Sequence, residues 1–161
     1  MVFKDEKQLE KFILQKCRSA VAGTEQKVHN IIDKCLNQFY AQFEPDEYIR
    51  TGKLLHSLVK GDVKKVGNGY MAEVYFDVSK LNYEQGVMPL KHTSEHGMYG
   101  WATWDGETVL RVAMENGVPH GGYEKGTAIW TKSMATIATL GGILEMLERE
   151  LKMIGVPIVN G

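Results

Sequence analysis

The sequence predicts an α+β fold, with a long N-terminal helix or helix pair and a C-terminal helix packed on a small antiparallel sheet. Apolar residues recur every three or four positions over residues 5–43 and again over residues 127–154, as they do on one face of a helix. Between these regions, apolar and polar residues alternate as in strands. The dipeptide Asn68-Gly69 is typical of a hairpin turn because both positions accept positive φ, so a hairpin is predicted at 58–78.

The N-terminal helical region, residues 5–43, is interrupted at Gly23. The pattern is consistent with one long helix weakened at this glycine, or with two helices of which the second is capped by Thr24. Pro45 disfavours helical geometry at Glu44 and so ends the pattern. The apolar stripe is predicted to face the core, and it contains Leu9, Phe12, Ile13, Cys17, Ala20, Val28, Ile31, Ile32, Cys35, Phe39 and Phe43.

The second strand of the hairpin has the clearer alternation, which is typical of an antiparallel strand with one buried face. One face is predicted to carry Tyr70, Ala72, Val74, Phe76 and Val78, and the other Met71, Glu73, Tyr75 and Asp77.

The C-terminal helix is predicted over residues 127–154. Gly141-Gly142 within it indicates a bend or a close approach to a neighbouring backbone, and Gly155 followed by Pro157 is a strong stop. Its charged side, with Glu148 and Glu150, is expected to face solvent. Its buried side is expected to contain Trp130, Met134, Ile137, Leu140, Ile143, Leu144, Leu147, Leu151 and Ile154.

A length of 161 residues and the lack of repeats or linkers favour a single domain. This domain, residues 1–161, would contain the helical region 5–43, a sheet and loop region 48–126, and the helix 127–154. The formal net charge of -1 does not favour nucleic-acid binding, which depends on basic surfaces, and no apolar run is long enough to predict a membrane span.

A long irregular segment, residues 79–105, is punctuated by glycine and proline but carries large apolar side chains. Such a loop is usually functional when it is not disordered, and tryptophan is enriched at the energetic centres of interfaces. We therefore take four of its residues as a candidate interface: Met98, Tyr99, Trp101 and Trp104.

The same segment contains His92-x-x-Glu95-His96, the pattern of an inverted zinc-protease site. Such a site requires both histidines on one side of a helix, but Pro89 and Gly97 leave room for only about two helical turns. A third ligand is not singled out by spacing among Glu107, Glu115 and His120. A zinc-dependent hydrolase is thus an alternative hypothesis, and the preferred prediction includes no catalytic residue, metal or cofactor.

A stretch that follows the first helical region has the pattern Y-x-R-T-G-x-L-x-x-S, carried by Tyr48, Arg50, Thr51, Gly52, Leu54 and Ser57. It resembles a motif of minor structural proteins of tailed bacteriophages, in the tail-completion or head-proximal tail component group. The order of elements from 48 to 155 is also similar, although Ile129-Trp130 replaces a proline–aromatic doublet and the 79–105 loop is longer.

The resemblance implies a virion protein of the tail or neck, synthesised in the cytoplasm of the bacterial host and without enzymatic activity. Its expected place is the head–tail junction or the head-proximal end of the tail. There it would assemble as a ring-like homo-oligomer and dock onto neighbouring head–tail connector and tail proteins. In the fold itself, Gly52 suits a tight reversal before the sheet, and Arg50 is expected to pair with a carboxylate across that turn or to contact a partner.

Overall fold

The computed structural model describes residues 3–42, 52–81 and 129–158, together with Glu107 and Leu110. Helices predominate in these ranges, and two short antiparallel strand pairs accompany them, which confirms the α+β class. The chain divides into two compact units, and the single domain expected from length stays a prediction. Unit 1 contains Met1–Ile31, Lys60–Tyr75 and Ala135–Gly161, and unit 2 contains Ile32–Val59 and Phe76–Met134.

Helix α1 extends from Glu6 to Gln42, a run of 37 residues. Asp5 caps its N-terminus, since its carboxylate accepts a hydrogen bond from the Gln8 N–H at 2.8 Å. The Gln8 side-chain oxygen in turn accepts from the Lys4 N–H at 3.2 Å. The Asp5–Gln8 bond satisfies one of the backbone donors that a helix start otherwise leaves without partners.

The helix-pair alternative is wrong, because α1 is continuous through Gly23. Thr24 does not act as an N-cap; its hydroxyl donates to the Ala20 carbonyl at 2.9 Å, one turn back within the same helix. Gly23 therefore lies in a helix interior, where glycine costs up to about 1 kcal/mol relative to alanine. That cost calls for a compensating role at this position.

The predicted hairpin is present as four short strands: β1 (Leu58–Lys60), β2 (Lys64–Val66), β3 (Gly69–Met71) and β4 (Val74–Phe76). β1 pairs with β4, and β2 pairs with β3. Because Val66 pairs with Gly69, the two turn residues are Gly67 and Asn68, one position earlier than the Asn-Gly signal indicates. Gly67 alone has positive φ, at 56°, which matches a type II′ rather than a type I′ turn.

A β-bulge separates the two strand pairs. The Gly61 N–H donates to the Glu73 carbonyl at 2.8 Å, while Lys64 pairs with Met71. Two residues lie between Gly61 and Lys64, but only Ala72 lies between Met71 and Glu73. The first strand thus carries one extra residue, which locally interrupts the ladder and increases its twist.

Burial along the second half of the hairpin alternates as predicted. The half-buried face contains Tyr70, Ala72, Val74 and Phe76, and the exposed face contains Met71, Glu73 and Tyr75. The alternation ends at Asp77 and Val78, because the chain turns there into a 3₁₀ helix, Val78–Leu81.

Unit 2 contains the short helix α2 (Lys53–Ser57), which packs against this 3₁₀ helix. Among the described residues of the unit, the buried apolar side chains are Ile32, Cys35, Leu36, Leu54, Leu58, Leu81 and Ile129. Ser57 and Ser133 are fully buried, and each donates a hydrogen bond to a carbonyl of its own helix, so burial leaves neither hydroxyl without an acceptor.

The predicted C-terminal helix is two helices, α3 (Ile129–Thr139) and α4 (Gly142–Met153). Gly141 and Gly142 adopt φ values of 90° and 80°, a left-handed geometry that no L side chain accepts cheaply and that breaks the helix outright. The end of α4 is as predicted. Gly155 has φ 81°, its N–H donates to the Lys152 carbonyl at 3.0 Å, and the Val156 N–H donates to the Leu151 carbonyl at 2.9 Å, which is a Schellman motif.

Glu150 of α4 is buried against α1 within unit 1, and only 9% of the residue is exposed. Its carboxylate lies 2.7 Å from Lys27 Nζ, and a Cβ added at Gly23 would lie 2.6 Å from Glu150 Cδ. Gly23 therefore provides the space that the carboxylate occupies, and Lys27 provides the opposite charge. The expectation that Glu150 faces solvent is wrong.

The buried side of the C-terminal segment also differs from the prediction. Ile137 is buried as expected, and Met146 is buried although it was not assigned to the core. Because the chain breaks at Gly141, the side chains of α4 do not continue the angular pattern of α3 around the helix axis. In the orientation that α4 adopts, Glu150 points to the space at Gly23. The side chains predicted to be buried and found exposed are Trp130, Leu140, Ile143 and Leu144.

Gly23→Ala is expected to lower the free energy of unfolding by about 1 kcal/mol. The added methyl group displaces the Glu150 carboxylate from Lys27, and this loss exceeds the helix-propensity gain of about 1 kcal/mol. In a Glu150→Ala background the same substitution is expected to stabilise by about 0.5–1 kcal/mol, because the space is then empty. Denaturant unfolding of the four proteins measures the sign change, and the same sign in both backgrounds would contradict this account.

Candidate functional site

The candidate site is the described part of the Tyr48–Ser57 motif, a turn that leads into α2 in unit 2. Gly52 precedes the helix with φ 71° and ψ 2°, a left-handed conformation. The His56 N–H donates to the Gly52 carbonyl at 3.0 Å, so this residue also begins the helical hydrogen bonding. The motif requires glycine here because a side chain would strain the backbone.

The other two described motif residues face inward. Leu54 is buried, and Ser57 is fully buried with its hydroxyl donating to the Leu54 carbonyl at 2.7 Å. The Ser57 carbonyl accepts from the Asp77 N–H at 2.7 Å. The motif thus links α2 to the start of the 3₁₀ helix, where Leu81 is also fully buried.

Asp77 holds the start of the 3₁₀ helix and was not found by sequence reasoning. Its carboxylate accepts from the Ser79 hydroxyl at 2.5 Å and from the Ser79 N–H at 3.1 Å. The Ser79 hydroxyl is the largest influence that lowers the pKa of Asp77 below its ordinary value of 3.8; the Ser79 N–H and Lys80 contribute less. The Asp77-x-Ser79 spacing, typical of an Asx turn, is a sequence signal that could have indicated this arrangement.

The described part of this site positions secondary-structure elements relative to one another within unit 2. Gly52, Leu54 and Ser57 use their backbone and side chains for internal packing and hydrogen bonds. Across the described ranges, no group of three or more His, Cys, Asp or Glu side chains could hold a metal ion. The motif therefore acts here as a structural joint between α2 and the 3₁₀ helix.

The remaining predicted site residues lie outside the described residues. These are the motif positions Tyr48, Arg50 and Thr51, the candidate interface Met98, Tyr99, Trp101 and Trp104, and the zinc-like pattern His92, Glu95 and His96. The roles predicted for these residues are therefore not tested by the structure and stay predictions.

Among the described residues, two buried polar atoms on α1 have no hydrogen-bond partner. They are Glu25 Oε1 and His29 Nδ1, one turn apart, and Glu25 is only 6% exposed. Burying a carboxylate oxygen without a donor costs stability. This distinguishes Glu25 from Glu150, whose carboxylate has Lys27.

An open groove in unit 1 lies between the first turns of α1 and the β2–β3 turn. It encloses about 420 Å³, and its lining combines aliphatic and charged side chains without a nucleophile–base pair: Glu6, Leu9, Glu10, Ile13, Leu14, Lys65 and Asn68.

Exposed apolar side chains near the start of α4 are a second surface that sequence reasoning missed. Leu144 is 70% exposed and Ile143 is 55% exposed. An exposed apolar cluster on one helix is typical of a protein–protein contact. The signal in the sequence is the Gly141-Gly142 pair, since a helix that restarts there need not continue the burial pattern of the preceding one.

Comparison with protein families identifies the chain. A family model described as YomN matches residues 5–153, nearly the whole sequence. The chain belongs to the YomN family. This membership is consistent with a phage origin and does not specify a head–tail or tail-completion role.

No curated protein and no solved structure matches this YomN-family chain significantly. Within the described ranges, none of the helices combines the length and apolar character needed to cross a bilayer.

Gly52→Ala is expected to lower the free energy of unfolding by about 1 kcal/mol, because alanine is strained at φ 71°. Gly52→Asn should cost less, since asparagine tolerates this conformation better. Gly69→Ala is the matched control: its φ is not positive, and a Cβ there meets only the Val66 carbonyl oxygen at 3.9 Å. Chemical denaturation would contradict the assignment if the Gly52 and Gly69 variants lost equal stability.

The stabilisation that Asp77 provides depends on pH. Since its folded pKa is lowered, this stabilisation is fully present above pH 3.8 and is lost as the pH falls below that value through the folded pKa. Ser79→Ala is expected to raise the pKa of Asp77 toward 3.8, and Lys80→Gln to raise it less. An NMR titration of the Asp77 carboxyl carbon in the three proteins measures the order, and a larger effect of Lys80→Gln would contradict it.

Proposed function

We propose that this YomN-family chain is a structural protein of a phage particle that acts at the head–tail junction or at the head-proximal end of the tail. It works there by self-association and by docking onto neighbouring connector and tail proteins, with no chemical step. The observation that carries the proposal is the family match over residues 5–153, which is consistent with a phage origin. The resemblance of Tyr48–Ser57 to tail-completion proteins supplies the more specific position.

The described geometry supports an assembly role in two ways. Helix α1, with 37 residues, has a length of about 55 Å at 1.5 Å per residue, long for a chain of this size. Its first turns and α4 both carry exposed aliphatic side chains, including Leu9, Ile13 and Leu144. Long elements with apolar patches are well suited to contacts with neighbouring subunits.

A zinc-dependent hydrolase is the weaker candidate. Its pattern, His92, Glu95 and His96, lies outside the described residues, and the part of the chain that is described contributes no three-residue metal-binding group. No observation favours it over assembly.

Deletion of the gene from a particle-forming phage that encodes the chain tests the proposal. We expect lysates of the deletion phage to contain separate heads and tails in electron micrographs, and mass spectrometry of purified wild-type particles to detect the chain. The physical reason is that an adaptor completes the surface to which the other half of the particle binds. Normal particles from the deletion phage, together with absence of the chain from wild-type particles, would overturn the proposal.

Complementation provides the matched control. A plasmid copy of the wild-type gene should restore whole particles, and a His92→Ala/His96→Ala copy should restore them equally, because the proposal gives these histidines no chemical role. If the histidine variant is stably produced but fails to complement, while zinc is retained by the purified wild-type chain, the hydrolase alternative gains support.

A further inference from the structure

The broad apolar arc of helix α4 forms two adjoining faces, and only one of them contains buried residues. Met146 and Glu150 are buried, and at 100° per residue they lie within about 40° of each other around the helix axis. Leu147, Leu151 and Leu144 lie about 100° to 160° from Met146 on the same basis. Leu147 and Leu151 are half-buried, and Leu144 is 70% exposed.

The spacing of this second face is that of a helix–helix contact. Leu144, Leu147, Leu151 and Ile154 are separated by three, four and three positions, the pattern of apolar residues that a helix presents to a partner helix. None of the four is buried. We define these four residues as the α4 stripe.

The charges beside the stripe indicate what covers it. Glu148 and Lys152 lie along one flank, one turn apart, and within the described contacts neither forms an ion pair. Arg149, by contrast, pairs with Glu145 in its own helix. The flank of the stripe therefore carries one acidic and one basic group in a fixed order along the helix.

We infer that the α4 stripe binds the α4 stripe of a second copy of this chain in an antiparallel, two-fold arrangement. In such a pair each flank faces the same flank of the other copy in reverse order. Glu148 then faces Lys152 of the second copy, and the reverse pair forms at the symmetry-related position. In a parallel pair the flank with Glu148 and Lys152 would instead face the opposite flank of the second copy. That flank carries Ile143 and the buried Glu150, so it offers Lys152 no exposed carboxylate.

This inference rests on the proposed function, which includes self-association, and it identifies the α4 stripe as the surface through which two copies associate. A two-fold contact closes on itself, so a ring would need a second interface elsewhere on the chain.

Sedimentation equilibrium of the full chain over a range of concentrations tests the inference. The wild-type chain is expected to dimerise, and Leu144→Glu to raise the dimer Kd by about 100-fold or more, because it places a carboxylate in the apolar contact of both copies. Leu144 is exposed, so the variant should fold normally, which circular dichroism and thermal unfolding verify. A wild-type chain that is monomeric at all concentrations overturns the inference.

Met153→Glu is the matched control. Met153 is 67% exposed on the same helix but lies about 180° from Leu144 around the axis, outside the stripe. Its Kd is expected to equal that of the wild type. Equal weakening by both substitutions would indicate a general effect of charge on α4 and would overturn the specific contact.

Charge exchange tests the direction of pairing. Glu148→Lys and Lys152→Glu should each weaken dimerisation, since each places like charges opposite one another, and the double exchange should restore it. Failure of the double variant to recover, with its fold intact, would overturn the antiparallel arrangement. A dimer whose Kd is unchanged by Leu144→Glu would overturn the contact itself. The contact would also be overturned if another segment of this chain, or another virion protein, covers the α4 stripe.

The outcomes separate the two proposals. A chain that is present in particles but monomeric in solution, with Leu144→Glu still able to complement, disproves only the α4 contact. A chain that dimerises through Leu144 but is absent from particles disproves only the virion role.

Discussion

The packing of α4 against α1 in unit 1 depends on one buried carboxylate, that of Glu150. It contacts α1 at Gly23, a position that has no side chain. Glu150 reaches α1 because residue 23 is glycine, and its carboxylate forms an ion pair there with Lys27 at 2.7 Å. Lys27 is partly exposed, so water screens the pair and its net contribution is smaller than that of a fully buried ion pair. The larger effect of the Glu150–Lys27 pair is to select one orientation of α4 against α1. Only one rotation of α4 about its axis places this carboxylate in that space.

Glycines with left-handed φ set the ends of several helices in the two units. Gly52 starts α2, Gly141 and Gly142 separate α3 from α4, and Gly155 ends α4. Each allows a chain reversal or break that an L residue would oppose by about 1 kcal/mol or more. The break before α4 has the widest consequence, because it frees the phase of α4 from that of α3. Met146 and Glu150 become its buried positions, although a continuous helix would favour its leucines.

The sequence predicts the elements of this fold well because their signals are local. The 37-residue helix, the hairpin alternation from Tyr70 to Phe76 and the stop at Gly155 follow from periodicity and backbone preference. The rotation of α4 does not, because apolar periodicity assigns carboxylates to solvent and gives no indication of a space on another helix. The turn at Gly67-Asn68 was displaced by one residue for a similar reason, since pairing across the strands selected the register. The Tyr48–Ser57 pattern includes Gly52, Leu54 and Ser57 but gives no indication of Asp77, which the fold brings to Ser57 through a backbone hydrogen bond.

The same constraint connects the fold to the proposed assembly role. A helix with a broad apolar arc can bury only part of that arc against a single neighbouring helix. On α4 the buried part is the edge that contains Met146 and Glu150. Leu144, Leu147 and Leu151 are therefore left toward the opposite edge, with Glu148 beside them. If the leucines were inside, Glu150 would face water and Gly23 would be a weak point in α1 without compensation. The Glu150 contact thus occupies one edge of the arc and leaves the α4 stripe for the proposed contact with a second copy.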